Sequence, residues 1–587
     1  VNPRIVRRTP GDSEAALAAA GVHPVLARVY ATRGVTSTAD LDTGFAALPH
    51  PSLMKGTDHA ARRLCAAIDG GECIVVVADY DADGAHCAQA EHGDRTGGGA
   101  VVDFVVPNRF EHGYGLTPEI VAGAAARAPR LIVTVDNGIA SVEGVREATA
   151  RGIDVLITDH HLPGAELPAP AIIVNPNQPG CTFPSRNLAG VGVMFYVLLA
   201  TRALLRSRAS AASRSALPNL AALLDLVALG TLADVVPLDT LNRALVAQGL
   251  RRIRAGNAHK GLAALFAAAG REVERASAFD LSFVAGPRIN AAGRLDDMSI
   301  GIRCLVSDDD AEVAALAGQL ESLNAERRGI EATMRDDALR AMAVLDATAM
   351  ASARSICLVD DEWHQGVVGI VASRLKERYN RPTMVLAPGD SGELKGSGRS
   401  ISGFHLRDAL DTVAKRQPDL LRRFGGHAMA AGITIARADF ARFKAAFDTV
   451  AREKLSDVDF ARTLESDGEL DAGELSLQLA EAIEGDVWGH GFAPPRFDGA
   501  FDVVEQRIVG GAHLRLRLRR AGNVYEAILF GHADALPPRI RIAYRPGVNR
   551  YQGQCALQLV VEHWEPAVPA QLQHDPALHD ADRAVGH

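Results

Sequence analysis

Three short segments carry aspartate and histidine in patterns that could do chemistry together. Asp79, Asp81 and Asp83 alternate through DYDADG and close on Gly84, Asp136 opens DNG, and Asp159, His160 and His161 form DHH. Carboxylates alternating about one turn cannot separate widely, and three negative charges at one place repel unless a cation neutralises them. A hard divalent ion is the natural remedy. Mixed carboxylate and imidazole donors suit Mn2+ and tolerate Mg2+. Asp234, an acid inside the apolar run ALGTLADVVPL, is a fifth element. More than four carboxylates with histidine exceed the needs of one ion and point to two, about 3.5–4 Å apart, sharing a carboxylate. Such a pair clamps a phosphoryl centre, activating water and neutralising the charge that builds on the oxygens during in-line displacement. The expected reaction is phosphoester hydrolysis. Taken singly, each piece has a plainer meaning: a DxD turn as a loop cap, paired histidines as a surface feature, Asp234 as a helix N-cap. No GxxxxGK[ST] loop occurs, so nucleotide-driven motor work is not indicated.

These tips need a scaffold that brings them together. The runs CIVVVA (73–78), VVDFVV (101–106), LIVTV (131–135) and IDVLIT (153–158) are β-rich, and the first, third and fourth stop at the segments just named. Their intervals leave room for crossover helices, the pattern of a parallel α/β sheet. In such sheets the ligand crevice lies beyond the carboxyl ends of the strands. From Asp81 to Asp136 is 55 residues, about two βα units, and from Asp136 to His160 is 24, about one.

Further along, Ser307 to Leu345 lacks proline and sets Val313, Leu316, Leu320, Leu323 and Ile330 at helical spacing, predicting a long helix or helix pair that joins two domains. A second α/β unit follows, with strands SICLVD (355–360) and TMVLA (383–387) around the helix VVGIVASRLKERY. Charge then reverses near residue 500: 451–500 carry 12 acidic and 4 basic groups, 501–565 carry 6 and 9. LRLRLRR (514–520), VYEAILF (524–530), RIRIAY (539–544) and CALQLVVEHW (555–564) predict strands of a small β-barrel. Alternation puts Leu514, Leu516 and Leu518 on one face and Arg515, Arg517 and Arg519 on the other.

The 587 residues are 48% hydrophobic and 23% charged, which excludes global disorder and fibrous architectures and allows about three to five domains. The formal net charge of −9 argues against indiscriminate coating of nucleic acid, so any polyanion site must be local. Seven scattered cysteines without a CxxC pair predict reduced thiols and a cytoplasmic location. Apolar stretches such as VMFYVLLA fall short of the ~20 residues that cross a bilayer, and no secretory signal is visible, so no membrane partner is expected.

These residues resemble the DHH phosphoesterases and, within them, the bacterial RecJ-type single-strand-specific exonucleases. The resemblance covers roughly residues 20–565. It extends through VVPNRFEHGYGLTPEI, NPNQPGC, LAGVGVMFY, ALGTLADVVPL, GPRINAAGRLDDM, HQGVVGIVASRL, GSGRSISGFHLRDAL and FGGHAMAAG. It implies an α/β fold class, with a parallel-sheet DHH domain joined by a long helix to a DHHA1 α/β domain, plus a small OB-type barrel. The implied boundaries are 1–70 for an N-terminal region, 71–305 for the DHH domain and 306–350 for the connecting helix. DHHA1 takes 351–450, the barrel 460–566 and a disordered tail 567–587. The implied activity is removal of 5′-mononucleotides from the 5′ end of encircled single-stranded DNA, in repair and recombination, with single-strand-binding protein and a helicase as further partners.

By the same resemblance, Asp81 and Asp136 hold one Mn2+ or Mg2+ ion. Asp83, His160 and Asp234 hold the other, and Asp136 bridges the two. Asp79 is a ligand or supports one, and His161 meets the scissile phosphate. Arg288, Asn290, Arg294, Ser397 and Arg399 bind phosphate near the 5′ end, and Gly425, Gly426 and His427 approach the nucleotide backbone. Ordinary ion pairs and a tight turn would equally account for these arginines and glycines.

One stretch departs from the family. After Gly84 an apolar alanine- and leucine-rich helix is expected, but AHCAQAEHGDRTGGGA (85–100) has no large aliphatic residue and four glycines. Each glycine in a helix interior costs ~1 kcal/mol relative to alanine, so a missing or shortened helix and a loosely held metal loop are predicted, as a compensated pair of frameshifts would produce. This leaves two alternatives to the nuclease: a catalytically impaired homologue, and a small-substrate phosphodiesterase or pyrophosphatase. Pyrophosphatases of the superfamily carry a histidine four residues before the DxD and lack a barrel; here that position is Val77.

Overall fold

The computed structural model describes residues 3–78, 100–107, 115–210, 217–344, 353–389, 392–551 and 553–567. Asp79, Asp81, Asp83, the departing stretch 85–99 and the tail from 568 lie outside the described residues. The chain divides into two units: residues up to Leu41 with Arg462–Asp486 and the chain from Ala493 on, and Asp42–Ala461 with Val487–Phe492.

The first strand, β1 (Arg4–Arg7), belongs to the first unit and has its partner far along the chain. In the second unit β2 (Cys73–Ala78), β3 (Val101–Val105), β4 (Leu131–Val135), β5 (Asp154–Thr158) and β6 (Ile172–Val174) form an all-parallel sheet in the order β3-β2-β4-β5-β6. Side chains alternate between two cores. Ile74, Val76, Leu131, Val133 and Leu156 face one cluster, while Val75, Val77, Ile132, Val155 and Ile157 face the other. Burial on both faces explains why these strands read as unbroken apolar runs. Registers pair Ala78 with Val135 and Val135 with Thr158, so three strands end side by side. With β2 and β4 adjacent and β3 on the other side of β2, the chain reverses direction across the sheet at these ends, where parallel sheets bind ligands.

The helix Gly190–Arg208 is long and apolar enough, by length and composition, to cross a membrane, contrary to the expectation from uninterrupted apolar stretches. It serves the core instead. Val193, Met194, Phe195, Tyr196 and Val197 are buried in the cluster that covers one face of the parallel sheet.

Asp310–Val344 is a single helix of 35 residues, which resolves the choice between one helix and a pair. The following sheet is built from β7 (Ile356–Val359), β8 (Thr383–Pro388), β9 (Glu393–Arg399), β10 (Arg423–Gly426) and β11 (Ala430–Ala436), ordered β10-β11-β9-β8-β7. Only β7 and β8 run parallel; the other pairs are antiparallel.

In the first unit β12 (Thr463–Ser466) pairs in parallel with β1. β13 (Phe497–Val509), β14 (His513–Arg520), β15 (Asn523–Leu529), β16 (Arg539–Tyr551) and β17 (Gln554–Pro566) close into a barrel in the order β13-β14-β15-β17-β16. The leucine and arginine alternation of β14 holds: Leu514, Leu516 and Leu518 are buried, and Arg515, Arg517 and Arg519 are exposed. Two inward carboxylates tie the N-terminal segment to this unit. Asp498 accepts hydrogen bonds from Arg7 Nε (3.0 Å), Arg541 Nη2 (2.8 Å) and Ser466 Oγ (2.6 Å). Asp467 accepts from Arg33 Nη2 (2.9 Å) and from the backbone N–H of Arg496 (2.9 Å).

Candidate active site at the strand ends

Beyond Val135 the chain turns sharply through Asp136, Asn137 and Gly138. Asp136 adopts φ +60°, a left-handed conformation in which few residues other than glycine are found, and it is buried. Strain of this kind persists only where the surroundings over-determine it. The surroundings are visible. Asp136 N–H donates to Thr158 O, Thr134 Oγ1 donates to Asn137 O (2.7 Å), and Asn137 Nδ2 donates to both Val77 O (3.1 Å) and Val135 O (2.9 Å). The asparagine thereby staples the ends of β2 and β4.

Beyond Thr158 the DHH residues are fixed by backbone and side-chain bonds together. Asp159 Oδ1 accepts from the N–H groups of His160 and His161 and from His161 Nδ1 (2.7 Å), and its Oδ2 accepts from Ile139 N–H. Burial pushes the Asp159 carboxyl up, but the hydrogen bonds it accepts from His161 and Ile139 outweigh burial and leave it below the ordinary carboxylate range. An ionised Asp159 can only accept, so His161 Nδ1 carries the proton. From the loop after β6, Asn177 Nδ2 donates to His160 O (2.6 Å) and Asn175 Nδ2 to His161 O (3.0 Å).

Donor atoms of Asp136, His160 and His161 lie within 4.8 Å of one another. His160 Nε2 is 3.0 Å from Asp136 Oδ1 and 3.4 Å from Asp234 Oδ2. Asp234 is the C-cap of the helix Leu224–Ala233, not an N-cap, and Val235 follows it at φ +60°. His160 Nε2 and Asp234 Oδ2 are buried, and no hydrogen bond of ordinary geometry satisfies either among the described residues. Buried polar atoms are normally satisfied, and a converging set of carboxylate oxygens and an imidazole nitrogen fits a divalent ion.

The remaining expected residues lie in two further places of the same unit. β10 ends in Gly425 and Gly426, and a Cβ on Gly426 would meet Ala430 O at 2.4 Å, so only glycine fits there. His427 follows, its ring centroid 5.7 Å from that of His161. Desolvation and then the nearby His161, His160 and Arg407 lower the His427 pKa, keeping the ring neutral. Elsewhere Arg399 Nη1 donates to Ser397 Oγ (3.0 Å) on β9, and Arg294 Nη1 to Gly366 O (3.3 Å). A Cβ on Gly369 would stand 2.9 Å from Ser397 Oγ and 3.1 Å from Arg399 Nη2. Gly366 and Gly369 flank the start of the helix Val368–Tyr379, so Arg294, Ser397 and Arg399 gather around that helix start.

Arg288 behaves differently from the rest. Its side chain is buried, donates to Val284 O (2.7 Å) and pairs with Glu321 of the 35-residue helix at 2.5 Å. Asn290 lies one turn from Arg294 on the same helix, Gly286–Leu295. Sequence reasoning assigned nothing to Asn137, Asn175, Asn177, Gly366 or Gly369. NPNQPGC and HQGVVGIV carried the signal, because asparagine side chains bridge backbone groups and glycines permit close approach.

The comparisons agree along the chain. The model of the DHH family N-terminal domain matches residues 73–231, that of the DHHA1 domain 349–453 and that of the RecJ OB domain 466–563. The single-stranded-DNA-specific exonuclease RecJ of Dickeya dadantii (strain 3937) is 46% identical over 552 residues, 92% of this chain and 96% of that protein. The crystal structure of RecJ from Thermus thermophilus in complex with Mn2+ has a TM-score of 0.79 at 32% identity, covering 97% of this chain and 80% of that one. The structure of RecJ from the same organism with Mg2+ gives 0.73 at 30% identity, covering 97% and 79%. With all three domains in order and identity of this degree over nearly the whole length, the chain belongs to the RecJ family of single-stranded-DNA-specific exonucleases.

Proposed function

We propose that this protein is a cytoplasmic, metal-dependent 5′→3′ exonuclease that hydrolyses single-stranded DNA to 5′-mononucleotides, in DNA repair and recombination. The observation that carries the reading is the convergence of Asp136, His160 and His161 donor atoms within 4.8 Å, with Asp234 Oδ2 3.4 Å from His160 Nε2. Asp136, His160 and Asp234, with Asp79, Asp81 and Asp83, would hold two Mn2+ or Mg2+ ions, Asp136 bridging. Bound there, such a pair lowers the pKa of coordinated water and neutralises charge on the phosphoryl oxygens during in-line displacement.

The chain's own groups do the rest. Asp136 and Asp234 bring carboxylate oxygens and His160 an imidazole nitrogen, the donor types that suit such ions. His161, its Nδ1–H held by Asp159, and neutral His427 meet the scissile phosphate. At the 5′ end Arg294, Ser397 and Arg399 receive a terminal phosphate against the start of the helix Val368–Tyr379, where N–H groups and the helix dipole favour an anion. Asn290, one turn from Arg294 on the same helix, serves the same phosphate, and Gly425 and Gly426 approach the nucleotide backbone. Arg288 acts from beneath, fixing its helix through Glu321. Single-strand-binding protein and a helicase are the partners such an enzyme would need to reach free ends.

The test is release of label from 5′-labelled single-stranded DNA with Mn2+, comparing wild type with Asp136→Ala. The expected result is mononucleotide release by wild type and a loss on the order of 10³-fold in the variant. Equal activity in both proteins would refute the bridging role. Cleavage of pyrophosphate or a dinucleotide with long strands left intact would favour the small-substrate enzyme, and strand binding without cleavage by wild type the impaired homologue.

A further inference from the structure

The first residue of the helix Gly190–Arg208 lies directly against the strained aspartate. A Cβ built on Gly190 would stand 2.6 Å from Asp136 Cβ, 2.9 Å from its Cα and 2.8 Å from its Oδ1. These are separations at which something must shift, and two of the three atoms are at the root of the side chain. Rotating the carboxylate therefore cannot relieve the clash. Asp136 cannot retreat either, since its backbone is pinned to Thr158 O and its φ of +60° is already unusual for a side-chain-bearing residue.

We infer that Gly190 is a positioning residue for Asp136: the missing side chain sets how closely the helix seats on the turn, and so where the carboxylate points. The inference rests on the metal-holding reading of Asp136 and deepens it. Gly192, two residues further along the chain, offers a contrast. A Cβ there would meet the far end of the Leu188 side chain, Cδ2, at 2.9 Å, an atom that can swing aside. Nothing in the apolar run LAGVGVMFY marks its two glycines as different; the distinction appears only when the chain is folded.

The test has two arms. In the first, Gly190→Ala, Gly192→Ala and Asp136→Ala are titrated with Mn2+ by calorimetry, alongside kcat and KM on single-stranded DNA. Gly190→Ala should weaken Mn2+ binding about 10-fold or more and lower kcat about 100-fold, with KM for DNA unchanged. Gly192→Ala should leave all three near wild type. Gly190→Ala with wild-type Mn2+ affinity would overturn the inference. The second arm is a stability cycle with Asp136→Gly, which removes the opposing Cβ and suits φ +60°. Gly190→Ala should lower Tm in the wild-type background and cost less, by about 2–4 °C, in the Asp136→Gly background. Additive shifts would overturn the contact. If Gly190→Ala alone fails to fold, recovery in the double variant supports the inference and failure to recover overturns it. Should Asp136→Ala bind Mn2+ normally while the cycle shows coupling, the metal reading fails and the packing of Gly190 on Asp136 stands.

Discussion

Asp498 in the barrel unit and Asp234 at the strand-end site both turn a carboxylate oxygen inward, but they are completed in different ways. Asp498 is saturated, with two arginines and a serine donating to it, and burial, which would raise its pKa, is outweighed by the hydrogen bonds from Arg7, Ser466 and Arg541, so its carboxyl stays below the usual range. The inward oxygen of Asp234 instead stands 3.4 Å from His160 Nε2, and neither atom has a hydrogen bond of ordinary geometry among the described residues. A buried acid enclosed by donors holds a fold together, whereas a half-buried acid whose inward oxygen faces an imidazole nitrogen without a hydrogen bond of ordinary geometry is suited to a cation. The same residue type is saturated by donors in one unit and left open to a cation, on the proposed reading, in the other.

Exchanging the two losses is the strongest way to break this contrast. Asp234→Ala should reduce nuclease turnover on the order of 10³-fold while Tm stays level or rises, since removing a converging negative charge relieves repulsion. Asp498→Ala should do the opposite, costing about 3 kcal/mol of stability in urea denaturation because two arginines lose their partner, with turnover on a short oligonucleotide near wild type. A stable, inactive Asp498→Ala protein would dissolve the distinction.

Acid denaturation sharpens the comparison. A carboxyl whose folded pKa lies below its unfolded value of about 3.9 contributes stability above that pH and loses it as pH falls through the folded value. Wild type should therefore weaken more steeply below about pH 4 than Asp498→Asn, measured as the change in urea midpoint between about pH 5 and about pH 3. Parallel curves would mean that Asp498 does not titrate with folding.

The smallest effect belongs to the barrel's arginine face. Arg515 Nη2 is 3.0 Å from Glu526 and Arg517 Nη1 3.4 Å from Glu505, so part of the positive charge is already compensated. Arg515→Ala should flatten the salt dependence of strand binding by less than the roughly 0.7 expected for one free counterion-releasing contact. A full change of that size would show that DNA displaces Glu526.

What could be read in advance follows the same divide. The strand tips were legible because β2, β4 and β5 are buried on both faces, so each is a plain apolar run that stops at a polar residue, Asp or His. The barrel was legible only in part. β13 is buried at Phe497, Asp498 and Gly499 without alternation and is exposed from Val504 to Ile508, and β16 continues through Pro546 and Gly547, residues that usually interrupt a strand. The N-terminal strand was invisible because its pairing and its carboxylate partner lie more than 450 residues away. Asp467 and Asp498 look like any surface acids until Arg33, Arg7 and Arg541 are brought to them. At the site, the acids and histidines were legible as types, but the left-handed turn at Asp136, the asparagine clamps and the burial of Arg288 against Glu321 depend on neighbours that composition does not reveal.

Anomalous diffraction from crystals of the full chain grown with Mn2+ tests the central claim most directly. Two peaks about 3.5–4 Å apart, both touching Asp136 and one of them also in contact with His160 and Asp234, are the predicted result. Density for Mn2+ elsewhere, with Asp136, His160 and Asp234 left uncoordinated at saturating metal, would contradict it.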